Sequence, residues 1–410
     1  MVLHWGTLHA PYIPIISIQR LLSPTLVALE ATLSEADGAN LLSFLDNYSL
    51  ICRNLKTVEF HFSAKPHAET TIQALSQAIC RQQILENVVL RVPINGTALK
   101  HLSTLPTLKA LTVTLSERSA LYKRTFLPTD PLFCSAEELH LTVWDLDLVT
   151  SLLRPHDQIF HVFRLYHRGR QTSEALLTFL NVLTSRSRTI PLRDLSLSFV
   201  DFSHPISANQ MAREAMRYRL SYETLRPLMV FGSLRELMIE WSEQISLDDD
   251  ELANLARSWP LLRVFNVYCG RGGYPPFSTK YATLRGLLTL VNACRKLLVV
   301  SLPLDARHIP VVKETEICAT HFQCITLPES PIDEALPVAE FLFKYLPCLT
   351  AVDARFLRPP GTNDAQIMAY EQAWVEVEMH LDERHYSLYG SGGSDSEGSD
   401  EYGGNSVLSS

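Results

Sequence analysis

The stretches "CRNLKTVEF" (residues 52–60) and "CRKLLVVSL" (residues 294–302) share one pattern. Each begins with Cys-Arg, and a leucine, a valine and a further apolar residue follow at the same spacing. Apolar residues that alternate with polar ones predict a half-buried β-strand, and a strand pattern that recurs predicts a repeat protein. We interpret the Cys-Arg pair as the end of a helix that turns into the next strand.

The strand part of this pattern, apolar-x-x-apolar-x-apolar, recurs along the chain. Its middle apolar residue defines an anchor on each predicted strand, and the anchors are Leu29, Val58, Leu90, Leu111, Leu139, Phe163, Leu195, Leu237, Phe265, Val300, Ile325 and Val352. Their mean spacing is about 29 residues, near the long end of the roughly 20–29 residues of leucine-rich repeats. The sequence therefore predicts about twelve irregular strand–helix repeats.

Between the anchors the apolar spacing becomes that of a helix. Helical faces are predicted at Leu176, Phe179, Leu180 and Leu183, at Leu252, Leu255 and Trp259, and at Leu284, Leu287, Leu288 and Val291. Ser246-x-x-Asp249 is a capping signal before the second of these helices. We predict an α/β leucine-rich-repeat solenoid, a horseshoe with a curved parallel sheet on its concave side and helices outside.

The rival architecture is a doubly wound α/β enzyme, which would carry a glycine-rich phosphate turn. Neither G-x-G-x-x-G nor G-x-x-x-x-G-K-[ST] occurs in the chain. The glycine-rich loop "CGRGGYPP" (residues 269–276) matches neither motif and is interpreted as a turn between repeats.

The composition favours a large folded body and argues against nucleic acid. Hydrophobic residues make up 46% and charged residues 20% of the 410 residues, which are ordinary globular values. The formal net charge of −8 offers no basic face for phosphates. No apolar run reaches the ~18 residues of a membrane-spanning helix, and we expect neither nucleic acid nor membrane as a partner.

The N-terminus lacks the features of a secretory signal, and the eight cysteines are spread along the chain. Most of them lie in apolar segments, where a free thiol behaves as a small buried hydrophobe in a reducing compartment. We expect a cytoplasmic or nuclear protein.

The predicted organisation has three parts. Residues 1–21 are a lead-in or truncated end, residues 22–385 form the solenoid, and residues 386–410 form a disordered acidic Ser/Gly tail. Within the solenoid we predict an inserted segment near 201–221 and a C-terminal capping helix near 363–384. That helix would place Ile367, Tyr370, Trp374 and Val377 on one face.

The stretches "SLRELMIEW", "SWPLLRVFNVY" and "STKYATLRGLLTLVNACRKLLVVSLPLDA" resemble the repeat region of fungal F-box/leucine-rich-repeat proteins, from about Leu22 to Glu383. The resemblance implies a substrate-recognition role in an SCF-type ubiquitin ligase, in which an N-terminal F-box docks on the adaptor of a cullin ligase. We expect no F-box in residues 1–21, which are short and interrupted by proline. A cullin-ligase adaptor is an expected partner only if an F-box lies upstream.

No catalytic, metal or cofactor site is predicted from motifs. Cys318-x-x-His321-x-x-Cys324 lacks a second ligand pair for zinc, and core packing is the favoured interpretation. His380 and His385 lie five residues apart and do not share a helical face. We therefore expect a non-enzymatic protein-binding scaffold, with a free-standing interaction protein as the alternative and an enzyme as the least favoured class.

The predicted binding surface consists of strand residues that alternate with the anchors and face away from the helices. They are Glu59, His61, Arg91, Thr112, His140, Arg164, Ser196, Glu240, Asn266, Tyr268, Ser301, Thr326 and Asp353. Arg271 in the glycine-rich loop is a further candidate, because Tyr and Arg are enriched at interface hot spots. The partner is expected to be a protein of unknown identity.

The tail carries Ser394, Ser396 and Ser399 next to acidic residues, a pattern typical of acidophilic kinase sites. These serines are candidate phosphorylation sites.

Deleting residues 387–410 should leave the melting temperature of the protein unchanged, because a disordered segment buries no apolar surface. Differential scanning calorimetry of the full and truncated chains measures this. A large decrease in melting temperature would show that the tail packs on the folded body.

Overall fold

The fold is given by a computed structural model of the chain. The structure describes residues 1–5, 19–34, 38–62, 69–115, 132–153, 160–185, 191–200, 216–242, 244–269, 280–312, 321–354, 356 and 365–389.

Within these ranges, thirteen strands form one sheet. They are β1 Val2–Trp5, β2 Ala28–Leu33, β3 Thr57–Phe62, β4 Asn87–Ile94, β5 Ala110–Leu115, β6 Glu138–Val143, β7 Val162–Arg168, β8 Asp194–Val200, β10 Glu236–Trp241, β12 Val264–Cys269, β14 Val299–Ser301, β16 Cys324–Thr326 and β17 Ala351–Asp353. Two short pairs lie apart from this sheet: β9 Leu220–Ser221 with β11 Ile245–Ser246, and β13 Ala282–Thr283 with β15 Leu304–Asp305.

Helices connect most of the strands. They are α1 Ala39–Ile51, α2 Glu69–Cys80, α3 Gly96–Thr104, α4 Leu146–Leu153, α5 Ser173–Thr184, α6 Tyr222–Leu225, α7 Asp249–Ser258, α8 Leu284–Ala293, α9 Ala335–Tyr345 and α10 Ala365–Tyr389, with a 3₁₀ helix at Arg226–Val230. No helix among the described residues is both long and apolar enough to cross a membrane.

The sheet is parallel throughout, and its strand order follows the chain from β1 to β17. A doubly wound sheet reverses its strand order at a switch point, where ligands bind. Among the described strands the order does not reverse. The structure is therefore an α/β protein in which each successive strand is added at the same edge of the sheet, and helices form most of the connections.

A ladder of backbone hydrogen bonds fixes where each strand begins. The residue immediately before a strand donates its N–H to the carbonyl of the corresponding residue one strand earlier, from Val27 to the Met1 carbonyl at 3.0 Å through Thr350 to the Gln323 carbonyl at 2.8 Å. Lys56, Glu86 and Lys109 are successive members of this ladder. The ladder therefore sets the alignment of neighbouring strands in the sheet.

The side chains of that ladder also interact at its N-terminal part. Lys56 Nζ lies 2.8 Å from Glu86 Oε1, and Lys109 Nζ lies 2.7 Å from Glu86 Oε2. A hydrogen bond from Lys109, together with a smaller effect of the one from Lys56, lowers the pKa of the Glu86 carboxyl to about 2. The two lysines are exposed and Glu86 is only partly buried, so the ion pairs contribute little to stability.

Each long strand buries every second residue. In β10 the buried residues are Leu237, Ile239 and Trp241, and they belong to the same hydrophobic core as the apolar faces of the helices. The predicted helical faces are confirmed at α5, α7 and α8, because all of their predicted apolar residues are buried. One face of the sheet is thus covered by helices, as period-two patterning requires.

The two Cys-Arg pairs lie at helix ends, as the sequence pattern predicts. Cys52 ends α1 and Cys294 ends α8, and each donates its backbone N–H to the carbonyl four residues earlier at 2.9 Å. Both thiols are buried, and burial raises the pKa of Cys294 to about 12. The Cys294 Sγ donates to the Trp259 carbonyl at 3.4 Å, so this cysteine joins two successive helix ends in the core.

Three buried tryptophans satisfy their indole N–H groups with backbone carbonyls. Trp241 donates to the Tyr218 carbonyl at 2.6 Å and Trp259 to the Leu228 carbonyl at 3.2 Å. Trp374 of α10 likewise donates its indole N–H to the Ser330 carbonyl, at 2.8 Å. A buried Trp without such a partner would be costly, so these bonds fix the connecting segments against the core.

Four details differ from the predictions. The cap of α7 is Asp248 rather than Ser246, and Asp248 with Glu251 forms a reciprocal capping box. The segment 1–21 contains β1, which pairs with β2. The anchor of β4 is Val88, because Val88, not Leu90, pairs with Val58 and Leu111. Helix α10 ends at Tyr389, inside the predicted tail.

The C-terminal helix α10 packs on α9 and β17 through Tyr370, Trp374, Val377 and Leu381, which are buried, whereas Ile367 is half-buried. Because residues 387–389 belong to this helix, a truncation that removes only the residues beyond it begins at 390. Residues 390–410, with Ser394, Ser396 and Ser399, lie outside the described ranges, as do residues 201–215 of the predicted insertion.

A buried carboxylic acid lies in the connection beneath α10. In the segment after β16, Ser330 accepts a hydrogen bond from Trp374 Nε1 on its carbonyl at 2.8 Å and one from the Leu304 N–H on its Oγ at 2.9 Å. The preceding residue, Glu329, has φ of 53° and a buried Oε1 with no hydrogen-bond partner among the described residues. Burial raises the pKa of Glu329 to about 7.

Replacing Leu237 by Ala should lower the free energy of unfolding by about 2–5 kcal/mol, because it removes a fully buried side chain from the core. Urea denaturation measures the change. Arg235→Ala, at an exposed position two residues earlier, is the control and should change stability by about 0.5 kcal/mol or less. Equal effects of the two changes would contradict the assigned strand faces.

Glu329→Gln should stabilise the protein increasingly as pH rises from about 4 to about 8. The pKa of Glu329 is above its ordinary value of 4.5, so the folded state holds its proton longer than the unfolded state does. Stability associated with this group is therefore complete below pH 4.5 and is lost as pH rises through about 7, at a cost of roughly 3 kcal/mol. Chemical denaturation across pH measures the difference, with Glu223→Gln at an exposed carboxyl as control. A gain that is constant with pH would contradict the burial of this carboxyl.

Candidate functional site

The face of the sheet that lies opposite the helices is largely polar, and we call it the polar face. Strand register aligns its side chains in rows that cross the sheet. The first row is Glu30, Glu59, Val89, Thr112, His140, Arg164, Ser196, Met238, Asn266, Ser301, Thr326 and Asp353. The second row is Thr114, Thr142, Tyr166, Ser198, Glu240 and Tyr268.

Most of the sequence-predicted residues lie in these rows. The first row contains the predicted Glu59, Thr112, His140, Arg164, Ser196, Asn266, Ser301, Thr326 and Asp353, and the second contains Glu240 and Tyr268. Arg164 is exposed, most of the others are half-buried, and Ser301 is buried. The row positions are structural facts, whereas a role in binding stays a prediction.

Arg91 departs from the predicted arrangement. The pairing of β4 with β5 advances from Leu90–Val113 directly to Pro93–Thr114, so Arg91 and Val92 form a bulge. Proline has no N–H to donate to a ladder and is therefore typical of such irregularities. Arg91 is exposed, but it belongs to neither row.

An imidazole and two carboxylates meet near the N-terminal end of the polar face. Glu30 and Glu59 lie opposite each other on β2 and β3, and His61 lies two residues beyond Glu59 on the same strand. His61 Nε2 is 2.7 Å from Glu59 Oε1, and one ligand atom from each of the three residues lies within 4.8 Å of the other two. Glu30 was missed by the sequence analysis, although it follows the anchor Leu29 as Glu59 follows Val58.

A second polar group lies near the middle of the first row. His140 Nδ1 is 3.2 Å from Thr112 Oγ1, and burial together with nearby Arg164 lowers the pKa of His140. Its Nε2 is buried without a hydrogen-bond partner among the described residues. The imidazole is therefore held neutral, with Nε2 enclosed by the protein.

Ser198, Glu240 and Tyr268 occupy neighbouring positions in the second row. Ser198 Oγ donates to Glu240 Oε2 at 2.6 Å, and Glu240 lies opposite Tyr268 in the register. Asn266, two residues before Tyr268, has a buried Oδ1 with no hydrogen-bond partner among the described residues. A hydroxyl, a carboxylate, an amide and a phenol are thus presented on adjacent strands.

An arginine–aromatic group lies at the carboxyl ends of the central strands, where the sequence analysis made no prediction. The guanidinium Cζ of Arg168 lies 4.8 Å from the Trp144 ring centre, and that of Arg170 lies 3.9 Å from the Tyr218 ring centre. Between the two arginines, Gly169 adopts φ of 126°, which a side chain would strain. The sequence signal was the basic stretch "HRGR" at residues 167–170, at the end of a strand.

His167 of the same stretch points toward the core side of β7. Its Nδ1 lies 3.0 Å from the Gly169 carbonyl, and burial lowers its pKa. The ring also lies 5.8 Å from that of Phe199. His167 therefore serves as a buried packing residue that shapes the turn at Gly169.

The remaining candidates are only partly described. Arg271 and the loop at residues 270–276 lie outside the described ranges, and so does Cys318. Cys324 lies on β16, where burial raises the pKa of its thiol, and His321 is exposed before that strand. His380 Nδ1 lies 3.9 Å from Glu383 Oε2 on α10. None of these positions adds a ligand to a cluster among the described residues.

No protein-family model and no curated protein sequence matches the chain. One match among solved structures is to a chain in the structure of the Toll–Spatzle complex, a molecular hub in Drosophila development and innate immunity. The alignment has 12% sequence identity, covers 85% of this chain and 64% of that chain, and has a TM-score of 0.18. This chain thus spans less than two thirds of the matched chain, and so low a TM-score supports no conclusion about fold or function.

Proposed function

We propose that the protein is a leucine-rich-repeat solenoid that acts as a non-enzymatic scaffold for binding another protein. Three features support the repeat architecture: strands in chain order, one backbone hydrogen bond that recurs before each strand of the large sheet from β2 onward, and anchors spaced by about 29 residues. Repeat proteins of this kind offer an extended sheet face to their partners.

The observation that carries the proposal is the polar face itself. Its rows place side chains of both charges, hydroxyls and an aromatic ring across many neighbouring strands, while the anchors beneath them are buried. Mixed charge and half-exposed Tyr and Arg are typical of protein recognition rather than of nucleic-acid recognition. Substitutions on this face can therefore change binding without removing core contacts.

Within this proposal, the resemblance to F-box/leucine-rich-repeat proteins favours a substrate-recognition role in a ubiquitin ligase. The buried anchors Leu237, Phe265 and Val300 lie in the stretches that carry the resemblance. Co-purification with a cullin-ligase adaptor tests this role. Partner binding in the absence of adaptor binding would instead support a free-standing interaction protein.

Combined replacement of Glu240, Asn266 and Tyr268 by Ala should leave the protein folded and weaken partner binding by about 2 kcal/mol or more, which is roughly a 30-fold loss of affinity. The partner is first identified by pull-down with the tagged chain and mass spectrometry. Its affinity for wild-type and variant chains is then measured by titration calorimetry, and circular dichroism melting reports folding.

The matched control is the triple change Asp250→Ala, Asn254→Ala and Arg257→Ala, which alters one exposed face of α7 on the opposite side of the sheet. It should retain full affinity. Loss of binding in this control, with retention in the polar-face variant, would place the partner on the helices. Unfolding of the polar-face variant would show that its side chains belong to the core.

A further inference from the structure

The cluster of Glu30, Glu59 and His61 has the chemistry of a metal site. It offers two carboxylate oxygens and one imidazole nitrogen, all within 4.8 Å of one another, and all three residues are half-buried. A metal at about 2.0–2.2 Å from each ligand atom holds those atoms roughly 3.5 Å apart. Small side-chain rotations are therefore enough to close the three groups around an ion.

The backbone holds these groups in place. Strands β2 and β3 pair without irregularity over six consecutive positions, from Ala28–Thr57 to Leu33–Phe62. Beneath the cluster, Leu29, Ala31, Val58 and Phe60 are fully or almost fully buried. Ligands on packed strands keep their positions more accurately than ligands on loops, which is what a preformed metal site requires.

The register also places two carboxylates opposite each other, an arrangement that favours a bound cation. Like charges directly opposite each other on neighbouring strands are destabilising, and Glu30 and Glu59 are such a pair. His61 contacts this pair through Glu59 Oε1, at 2.7 Å from its Nε2. A divalent ion between the three groups would offset both carboxylates and replace this contact with two metal–ligand bonds.

A comparison within the polar face shows what distinguishes this cluster. Glu240 also lies on the polar face, but its carboxylate accepts a hydrogen bond from Ser198 and faces Tyr268. Among the described residues, Glu30, Glu59 and His61 are the one group of three His, Cys, Asp or Glu residues whose ligand atoms come this close.

We propose that Glu30, Glu59 and His61 bind one divalent transition-metal ion of the Zn²⁺ class. Mixed imidazole and carboxylate ligands suit Zn²⁺ and its spectroscopic substitute Co²⁺, whereas Mg²⁺ and Ca²⁺ take oxygen ligands. The ion joins β2 to β3 at the N-terminal part of the sheet. Three protein ligands leave a coordination position for water or for a further ligand.

The proposal rests on the three described side chains. It is independent of the protein-binding function proposed above, because the test uses no protein partner.

The experiment titrates the full chain, freed of metal by chelator and desalting, with Co²⁺ and follows the visible absorption of the bound ion. Zn²⁺ affinity is then obtained by displacement of Co²⁺. We expect one equivalent of Co²⁺, displaced by one equivalent of Zn²⁺, and a higher melting temperature with Zn²⁺ than without it. Glu59→Gln and His61→Asn should each lower the affinity by about tenfold or more.

Glu240→Gln is the matched control, since it changes a carboxylate of the same face outside the cluster, and it should bind Co²⁺ as the wild-type chain does. If a variant of Glu59 or His61 unfolds without metal, Glu30→Gln replaces it in the titration. Absence of Co²⁺ binding, or binding that is equal in all cluster variants and the control, would overturn the proposal.

Discussion

The in-register pairing of parallel strands is the constraint on which the rest of the structure depends. Each strand is aligned by the N–H of the residue before it, which donates to the matching carbonyl of the previous strand. A slip by one residue would move Leu237 and Ile239 from the core to solvent and would bury Glu236, Met238 and Glu240. The hydrophobic core and the backbone ladder therefore enforce the same alignment, and neither alone fixes it as strongly.

The polar face is a direct consequence of this alignment. Once the anchors share one row in the core, the residues beside them share one row on the opposite face, at a spacing set by the distance between strands. Side chains far apart in sequence thereby become neighbours, such as Ser198 and Glu240 at 2.6 Å. An extended surface of this kind can change its chemistry from strand to strand while the core beneath it stays constant.

Several ionisable groups of the molecule are partly or fully buried, and they lie in different parts of the fold. Glu329 is buried in the connection that holds the C-terminal helix, and burial raises its pKa to about 7. His140 is half-buried on the polar face, where burial and nearby Arg164 lower its pKa and keep the imidazole neutral. The Glu30–Glu59 pair with His61 concentrates charge on the same face, at the other end from Asp353.

The sequence by itself determined the alternation of strands and helices, the anchors of most strands, and the helix ends at Cys52 and Cys294. These features follow from local periodicity and from end signals within a few residues, which a single sequence carries. It also identified much of the polar face, because period two assigns a residue to a face of the sheet. The F-box resemblance and the protein-binding role remain predictions.

Only the tertiary structure decided which residues meet across strands. Val88, and not Leu90, is the anchor of β4 because the register aligns Val88 with Val58 and Leu111, ahead of the bulge at Arg91 and Val92. Glu30 joins Glu59 and His61 because β2 and β3 pair in register, although about 30 residues separate them in sequence. Periodicity fixes the face of a residue, whereas its neighbours depend on register, and register is set by the backbone ladder and the connections between strands.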